Sequence, residues 1–174
     1  MRTNYKLFIL ALISLFIFNA CENANVTSDG KQVTIEGLKK EPGFAWFDNE
    51  VAAYAPDSAI VKQIKAGFNL STDKFYLFVK PSCGCVGTTK RFPNFYRVMR
   101  EAGIADSNLV IYAMSTAEDN TPFKSASWKL NELPAFFRVK AGMPVYSIMD
   151  TFNLRYASNL KPSIESVIKE SLAK

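Results

Sequence analysis

Histidine is absent from this sequence of 174 residues. Without imidazole the chain cannot form Ser–His or Cys–His catalytic pairs, and zinc or copper sites that use histidine ligands are disfavoured. Cysteine is also scarce, with three residues in total. Two of them, Cys83 and Cys85, are separated only by Gly84 in the stretch KPSCGCVGTT. This spacing is compatible with a redox pair, a metal clamp or a structural staple.

Strong charge is missing as well. The formal net charge is +5, and residues 1–20 carry two basic residues and no acidic ones, so the remaining 154 residues have a net charge of +3. No cluster of Lys and Arg occurs, which argues against nucleic acid as a partner and against a polybasic membrane patch. The length and the 48% apolar composition fit one domain with a substantial core.

The N-terminus has the pattern of an export signal. Arg2 and Lys6 precede the apolar run at 7–18, LFILALISLFIF, which is too short for a spanning helix of roughly 20 residues. Phe18-Asn19-Ala20-Cys21 resembles a bacterial lipoprotein cleavage box, with Phe18 where Leu is usual. This resemblance implies a lipoprotein signal peptide at 1–20 and a lipid, such as palmitate, on Cys21. An ordinary secretory signal is the alternative.

The polar segment after the signal, at 21–43, is predicted to be a lipidated flexible tether that becomes ordered near Val33-Thr34-Ile35. A single domain is predicted at 44–174. A lipid at Cys21 implies an address in the bacterial cell envelope, anchored to the membrane and facing the periplasm. In that compartment disulfides persist, and Cys83 and Cys85 are the remaining thiols.

Hydrophobic periodicity and capping signals predict alternating strands and helices. The strands are expected at Phe44–Tyr54, Lys74–Val79, Asn108–Met114, Leu133–Lys140 and Pro144–Met149. The helices are expected after Asp57 up to Gly67, from Phe92 to Ala102, from Thr121 to Trp128 and from Pro162 to Leu172. This order predicts an α/β fold with a central mixed β-sheet and helices on both faces.

The last two predicted strands are joined by Ala141-Gly142, which indicates an antiparallel hairpin. Pro144 has no N–H group to donate to a neighbouring strand, so the final strand is predicted to lie at the edge of the sheet.

Two stretches together give the chain a resemblance to the thioredoxin-like superfamily. The buried strand KFYLFV leads into the cysteines at the start of a helix, and the segment Leu130–Val145 is similar to the family's cis-proline, strand, turn and edge strand. Pro134 falls on the cis-proline position, with Leu133 before it. The resemblance implies a thioredoxin-like fold over roughly 44–172 and a membrane-anchored thiol-disulfide oxidoreductase.

The family resemblance also implies site residues and partners. Cys83 and Cys85 would be the catalytic dithiol, and Leu133, Pro134 and Gly84 would contact an extended substrate. No cofactor and no metal are expected. The expected partners are thiols or disulfides of exported proteins, together with the membrane through Cys21, and the chain is expected to be a monomer.

The chain departs from the family pattern at several positions. The family's C-x-x-C dithiol, often preceded by Trp, is replaced by Pro81-Ser82-Cys83-Gly84-Cys85. Leu77 lies near the place where several members keep a buried acid, and Pro93 lies about three residues after the family's kink proline. The resemblance therefore supports the fold more firmly than it supports the proton chemistry.

A disulfide across Gly84 would contribute little as a staple. The loop-closure expression gives roughly 1.6 kcal/mol for three residues against about 3 kcal/mol for fifteen. A bond in so small a loop is easier to reduce, which favours exchange. Gly84 is expected to help through its freedom of backbone angles.

The working hypothesis is that Cys83 attacks a substrate disulfide and Cys85 resolves the mixed disulfide. A helix N-terminus and the cations of Lys80, Lys90 and Arg91 would favour the thiolate. Two alternatives stay open: a carrier of Cu(I) held by the two thiolates with Met114 in support, and a redox-inactive module that uses the loop as a binding surface.

Overall fold

The computed structural model describes residues 30–117, 128 and 130–174. Within them lie five strands: β1 (Lys31–Val33), β2 (Asp73–Val79), β3 (Leu109–Ala113), β4 (Ala135–Lys140) and β5 (Met143–Ser147). The α-helices of the same residues are α1 (Ile35–Lys39), α2 (Phe47–Ala53), α3 (Ser58–Gly67), α4 (Phe92–Ala102), α5 (Ile148–Ala157) and α6 (Ile164–Ser171).

The strands form one mixed sheet in the order β1-β3-β2-β4-β5. β2 and β3 are parallel, whereas β1 pairs with β3, β4 with β2, and β5 with β4 in antiparallel fashion. β2 lies at the centre and β5 at an edge, as Pro144 predicted. The α/β class and the mixed sheet predicted from the sequence are therefore confirmed.

One face of the sheet carries the larger core. Alternate residues of β2, namely Phe75, Leu77 and Val79, point to this face and are fully buried. Each of the six α-helices adds apolar residues to the same cluster. The helices of the described residues thus share this face, and the prediction of helices on both faces is not borne out among them.

The opposite face is covered by a smaller cluster. It is built from Phe78, Met114, Ala135, Phe137 and Val139, and partly buried residues from the segment before β4 pack against it: Trp128, Leu130 and Leu133. The helix predicted from Thr121 to Trp128 lies, apart from Trp128 itself, outside the described residues.

Capping and turn signals located several elements correctly. Asp57 caps α3, because its Oδ1 accepts hydrogen bonds from the N–H groups of Ala59 at 2.7 Å and Ile60 at 3.3 Å. α4 ends at Gly103, which has a φ of 73°. In the β4–β5 turn Ala141 and Gly142 have φ values of 50° and 81°, as a two-residue hairpin requires.

The strand predicted over Phe44–Tyr54 is wrong. A 3₁₀ turn occupies Pro42–Phe44, and helix α2 follows. Phe44, Phe47 and Val51 are all buried at a spacing of three and four residues, which places them on one helical face. The abundance of aromatic residues indicated a strand, but their spacing is helical.

The tether predicted at 21–43 ends earlier than its composition indicated. β1 pairs with β3 through Lys31, Gln32 and Val33, and α1 buries Ile35 and Leu38 in the main core. Most polar residues of β1 and α1 lie at exposed or half-buried positions of these short elements. Residues 31–39 therefore belong to the folded part of the chain.

The last predicted strand, Pro144–Met149, is too long. β5 ends at Ser147, whose hydroxyl accepts a hydrogen bond from the N–H group of Asp150 at 3.4 Å and so caps α5. α5 was not predicted, because its apolar residues do not form a clear helical stripe. Ile148, Met149 and Phe152 are buried, whereas Leu154 and Tyr156 are exposed.

A buried ion pair connects the central strands to the last helix. Arg138 of β4 and Asp73 of β2 are at most 2% exposed, with 3.0 Å between Nη2 and Oδ1. Arg138 also donates from Nη1 to the carbonyl of Ser171 at 2.9 Å. These contacts connect β2, β4 and the end of α6 at the end of the strands that lies far from the cysteines.

In the described part of the chain, every helix falls short of the length and apolar character that crossing a membrane requires.

Candidate functional site

The cysteines lie in the loop that follows the central strand. β2 ends at Val79, and the N–H group of Cys83 donates to the carbonyl of Lys80 at 3.0 Å, which closes a turn. Cys83 and Cys85 are joined in a disulfide, with their Cα atoms 5.2 Å apart. Both residues are half-buried, so each is partly exposed to solvent.

A helical turn starts directly after Cys85. Its carbonyl accepts hydrogen bonds from the N–H group of Thr89 at 2.9 Å and from the Thr89 hydroxyl at 3.0 Å. A π-helical turn at Gly87–Arg91 then leads into α4. Pro93 lacks an N–H group and would press on the carbonyl four residues earlier in a regular α-helix, and the wider π turn accommodates it.

Both sulfur atoms have a polar neighbour. The N–H group of Cys85 donates to Cys83 Sγ at 3.2 Å. The hydroxyl of Thr88, which is fully buried, lies 3.4 Å from Cys85 Sγ. The hydroxyl is the donor in this contact, because a disulfide sulfur carries no hydrogen. Each sulfur is thus placed where negative charge on a thiolate would be stabilised.

The structure brings Pro134 against the start of the helical turn. The Leu133–Pro134 peptide bond is cis, as the resemblance implied. A Cβ atom added to Gly87 would lie 2.5 Å from Pro134 Cδ and 2.9 Å from Cγ. The proline ring therefore sits in the space left by the missing side chain of Gly87, two residues after Cys85.

Leu133 and Gly84 take up different surroundings. Leu133 is partly buried against the smaller apolar cluster. Gly84 is exposed, a Cβ atom there would meet nothing within 4 Å, and its φ lies outside the left-handed region. The backbone freedom expected of Gly84 is therefore not required in this disulfide state.

The three cations expected near the dithiol differ in their partners. Lys90 is paired with Glu50 at 2.6 Å. Arg91 donates to Asn153 Oδ1 and stacks over the ring of Phe152, with 4.6 Å from Cζ to the ring centroid. Lys80 lines a cleft next to the dithiol loop.

Arg91 belongs to a polar chain that reaches the proline loop. Asn153 of α5 accepts from Arg91 and donates to Glu132, which lies two residues before Pro134. The π turn, α5 and the loop before β4 are thereby linked on one side of the dithiol.

Two apolar residues named in the sequence analysis, Leu77 and Met114, are buried. Leu77 is fully buried in the main core. Met114 is also buried, in the smaller cluster. Among the described residues no group of three or more His, Cys, Asp or Glu side chains is arranged to hold a metal ion. Cys21 lies outside the described residues.

Sequence reasoning missed Thr88, Gly87, Asn153 and Glu132. The GTT triplet after Cys85 was a usable signal, since a glycine and a hydroxyl at the start of a helix have specific roles in close packing and capping. Asn153 and Glu132 belong to distant segments, so no local pattern in the sequence connects them.

Comparison with known proteins identified no relative of the chain. No protein-family model matches the chain, and no curated protein and no solved structure matches it. What characterises the site is its own geometry: a half-buried disulfide at a strand–helix junction, with a cis proline packed against the first turn of the helix.

Proposed function

We propose that the chain is a thiol-disulfide oxidoreductase or isomerase that works through Cys83 and Cys85. The observation that carries the proposal is the accessible disulfide between β2 and a helical turn, with Gly87 of that turn packed against Pro134. An exposed loop of three residues gives little stability when it is closed, so a disulfide in this position is better suited to exchange than to structural support.

The fold that we propose is thioredoxin-like. Support comes from the parallel pair β2 and β3, the antiparallel strand β4 that begins just after a cis proline, the edge strand β5 and a final helix. The cysteines follow the central strand and precede a helix, as the resemblance implied. β1 runs antiparallel to β3 and belongs to the N-terminal extension of this chain.

The proposed exchange conserves electrons and protons. In the reduced protein the Cys83 thiolate attacks one sulfur of a substrate disulfide and releases the other as a thiol. Cys85 then attacks Cys83 Sγ, which releases the second substrate thiol and forms the protein disulfide. Two electrons and two protons pass from the dithiol to the substrate, and the reverse sequence oxidises a substrate dithiol.

The geometry supports Cys83 as the attacking residue. Its sulfur accepts the N–H group of Cys85 at 3.2 Å, at the positive end of the helical segment, which favours the thiolate. Cys85 Sγ lies beside the buried Thr88 hydroxyl. Leu133, Pro134 and the exposed Gly84 would border the substrate chain.

We further propose that the protein is anchored by a lipid on Cys21 and faces the periplasm of a bacterial envelope. Its substrates would be thiols and disulfides of exported proteins. The support for this address is the basic start, the apolar run of about a dozen residues and the cleavage box before Cys21.

The direct test is catalysis on protein disulfides. Full-length protein carrying Cys21→Ser, which leaves Cys83 and Cys85 as the only thiols, is assayed for reduction of insulin by dithiothreitol and for refolding of a scrambled disulfide protein. We expect activity in at least one assay, lost in Cys83→Ser. A protein that is folded yet inert in both assays would refute the proposal.

A further inference from the structure

A cleft of about 460 Å³ lies beside the dithiol loop and has no role in the exchange described above. It opens at the carboxyl ends of the parallel strands β2 and β3, where Val79 and Ala113 are paired and the Met114 N–H group donates to the Val79 carbonyl at 2.8 Å. Crevices at this edge of parallel strands are the usual ligand sites of α/β sheets. Its volume lies in the range of roughly 300–1,000 Å³ typical of small-molecule sites.

The cleft adjoins the reactive bond. Ser82, which precedes Cys83, lines it together with Lys80 and Pro81. Glu41 also lines the cleft, and its segment packs closely on the dithiol loop through Gly43. A Cβ atom at Gly43 would lie 2.8 Å from the carbonyl oxygen of Pro81. A group bound in this cleft is therefore held next to the loop that carries Cys83.

The lining offers both signs of charge. Lys80 supplies an ammonium group and Glu41 a carboxylate, and among the described residues neither takes part in an ion pair. Ser82 and Ser115 add hydroxyl groups, and Ala113 and Met114 complete the lining. This set fits a ligand that carries a carboxylate and an ammonium close together.

We infer that the cleft binds the amino-acid end of a small disulfide, so that the chain also exchanges with disulfides of the cystine class. This inference rests on the proposed dithiol chemistry and extends it from proteins to small molecules. Lys80 would hold the carboxylate, Glu41 the ammonium, and the disulfide would lie toward Cys83. The reduced protein and cystine give the protein disulfide and two molecules of cysteine.

Because cystine is a zwitterion, it distinguishes binding through local contacts from a general electrostatic attraction. Cystine at neutral pH has no net charge, so the long-range field of Lys80 gives it little advantage over an uncharged disulfide. A preference for cystine requires contacts at short range. Chirality gives a second criterion, because L- and D-cystine have the same intrinsic reactivity with an achiral thiol.

The experiment measures single-turnover oxidation of the reduced full chain carrying Cys21→Ser. The oxidants are L-cystine, D-cystine and the neutral 2-hydroxyethyl disulfide, and each rate is divided by the rate of the same disulfide with mercaptoethanol. We expect L-cystine to exceed both others by about tenfold, which corresponds to about 1.4 kcal/mol. Lys80→Met and Glu41→Gln should each remove most of this preference, whereas Lys62→Met, at an exposed site on α3, should retain it.

The outcomes distinguish the two proposals. Equal normalised rates for the three disulfides, or a preference unchanged in both Lys80→Met and Glu41→Gln, would overturn the cystine site while leaving the dithiol chemistry intact. Failure of the protein to react with any disulfide, the neutral one included, would overturn the proposed function and the cystine site with it. The enantiomer comparison needs no variant, so it holds even where a substitution impairs folding.

Discussion

At the scale of single residues, the two cysteines are distinguished by their neighbours. Cys83 Sγ accepts a backbone N–H group, and Cys85 Sγ lies 3.4 Å from the hydroxyl of a fully buried threonine, Thr88. Leu77, in the strand that leads to the dithiol, is fully buried and apolar, so it offers no carboxylate to accept a proton. We therefore assign to Thr88 the stabilisation of charge on Cys85 during the resolving step.

Replacing Thr88 by Val removes this hydroxyl at nearly constant volume. We expect the resolving step to slow by about three- to tenfold, the equivalent of one hydrogen bond of roughly 0.5–1.5 kcal/mol. Thr88→Ser should keep most of the rate. The measurement is the decay of the mixed disulfide after rapid mixing of reduced protein with a peptide disulfide.

The matched control for Thr88 is its neighbour. The Thr89 hydroxyl donates to the Cys85 carbonyl at 3.0 Å and not to sulfur, so Thr89→Val loses a comparable hydrogen bond next to the same residue. Its resolving rate should stay close to that of the parent protein. Equal slowing in both variants would remove the special role of Thr88.

Gly87 is the second residue with a specific requirement. Alanine there would place its Cβ atom 2.5 Å from Pro134 Cδ, so the proline loop and the helical turn would have to separate. We expect Gly87→Ala to lower the free energy of unfolding by about 1–3 kcal/mol, as overpacking commonly does, and to reduce the exchange rate. Urea denaturation and the insulin assay measure the two effects.

Gly84→Ala is the control for Gly87→Ala, because a Cβ atom at Gly84 meets nothing within 4 Å. Its stability should match that of the parent within about 0.5 kcal/mol, the usual range for exposed sites. If Gly87→Ala is as stable and as active as Gly84→Ala, the packing of Pro134 against Gly87 does not hold the site together.

At the scale of elements, β5, α5 and α6 are joined by one carboxylate. Glu170 of α6 accepts a hydrogen bond from the Tyr146 hydroxyl of β5 at 2.8 Å and pairs with Arg155 of α5. The hydrogen bond from Tyr146, followed by that from Arg155, lowers the pKa of Glu170 below its ordinary value of 4.5. The charged form of Glu170 is therefore favoured by the fold.

This lowered pKa gives a stability term with a defined pH dependence. Its contribution is present above about pH 4.5 and is lost as the pH falls through the lower pKa of the folded state. Glu170→Gln should lower the free energy of unfolding near neutral pH by at most about 1 kcal/mol, since the pair is about one-third exposed and screened by solvent. The difference from the parent should shrink in acid.

Urea denaturation of the parent, Glu170→Gln and Tyr146→Phe over a series of pH values measures this effect. Tyr146→Phe removes the largest cause of the shift, so its acid dependence should lie between those of the other two proteins. A deficit of Glu170→Gln that stays constant from neutral to acid pH would contradict the assigned cause.

Elements with a clear period or cap could be predicted from the sequence, and those without one could not. β2 is a nearly continuous apolar run, and α3, α4 and the β4–β5 turn carry Asp57, Gly103 and Gly142 as boundary signals. For α2 the sequence predicts a strand, because its many aromatic residues are typical of strands although their spacing is helical. α5 was missed because two of its apolar residues, Leu154 and Tyr156, face solvent.

The residues of the dithiol and the proline of the candidate site could be predicted from the sequence, whereas the contacts around them could not. The cysteines and Pro134 lie in recognisable local patterns. The packing of Gly87 on Pro134, the chain from Arg91 through Asn153 to Glu132, and the cleft between Glu41 and Lys80 each join segments far apart in sequence. Such pairs depend on strand order, which a single sequence without homologues does not specify.

At the scale of the whole molecule, the length of chain between the proposed anchor and the domain limits how far the dithiol can lie from the membrane. β1 begins at Lys31, so roughly ten residues separate Cys21 from it in the sequence. A chain of ten residues spans at most about 36 Å when fully extended. A lipid on Cys21 would therefore keep the dithiol near the membrane surface.

The anchor predicts a change in partition. Protein expressed with its N-terminal segment in a Gram-negative host should enter the detergent phase on phase separation, and Cys21→Ser should move to the aqueous phase. Mass spectrometry of the N-terminus supplies the second readout, with a lipid-modified Cys21 expected as the first residue. Aqueous partition of the parent with an unmodified Cys21 would contradict the lipid assignment.

The central claim is that Cys83 attacks and Cys85 resolves. The measurement that tests it most directly is trapping of mixed disulfides from the envelope by Cys85→Ser and by Cys83→Ser, compared on non-reducing gels with and without dithiothreitol. We expect reducible adducts with Cys85→Ser and few with Cys83→Ser. Adducts only with Cys83→Ser would reverse the two roles, and adducts with neither variant would contradict thiol exchange through this pair.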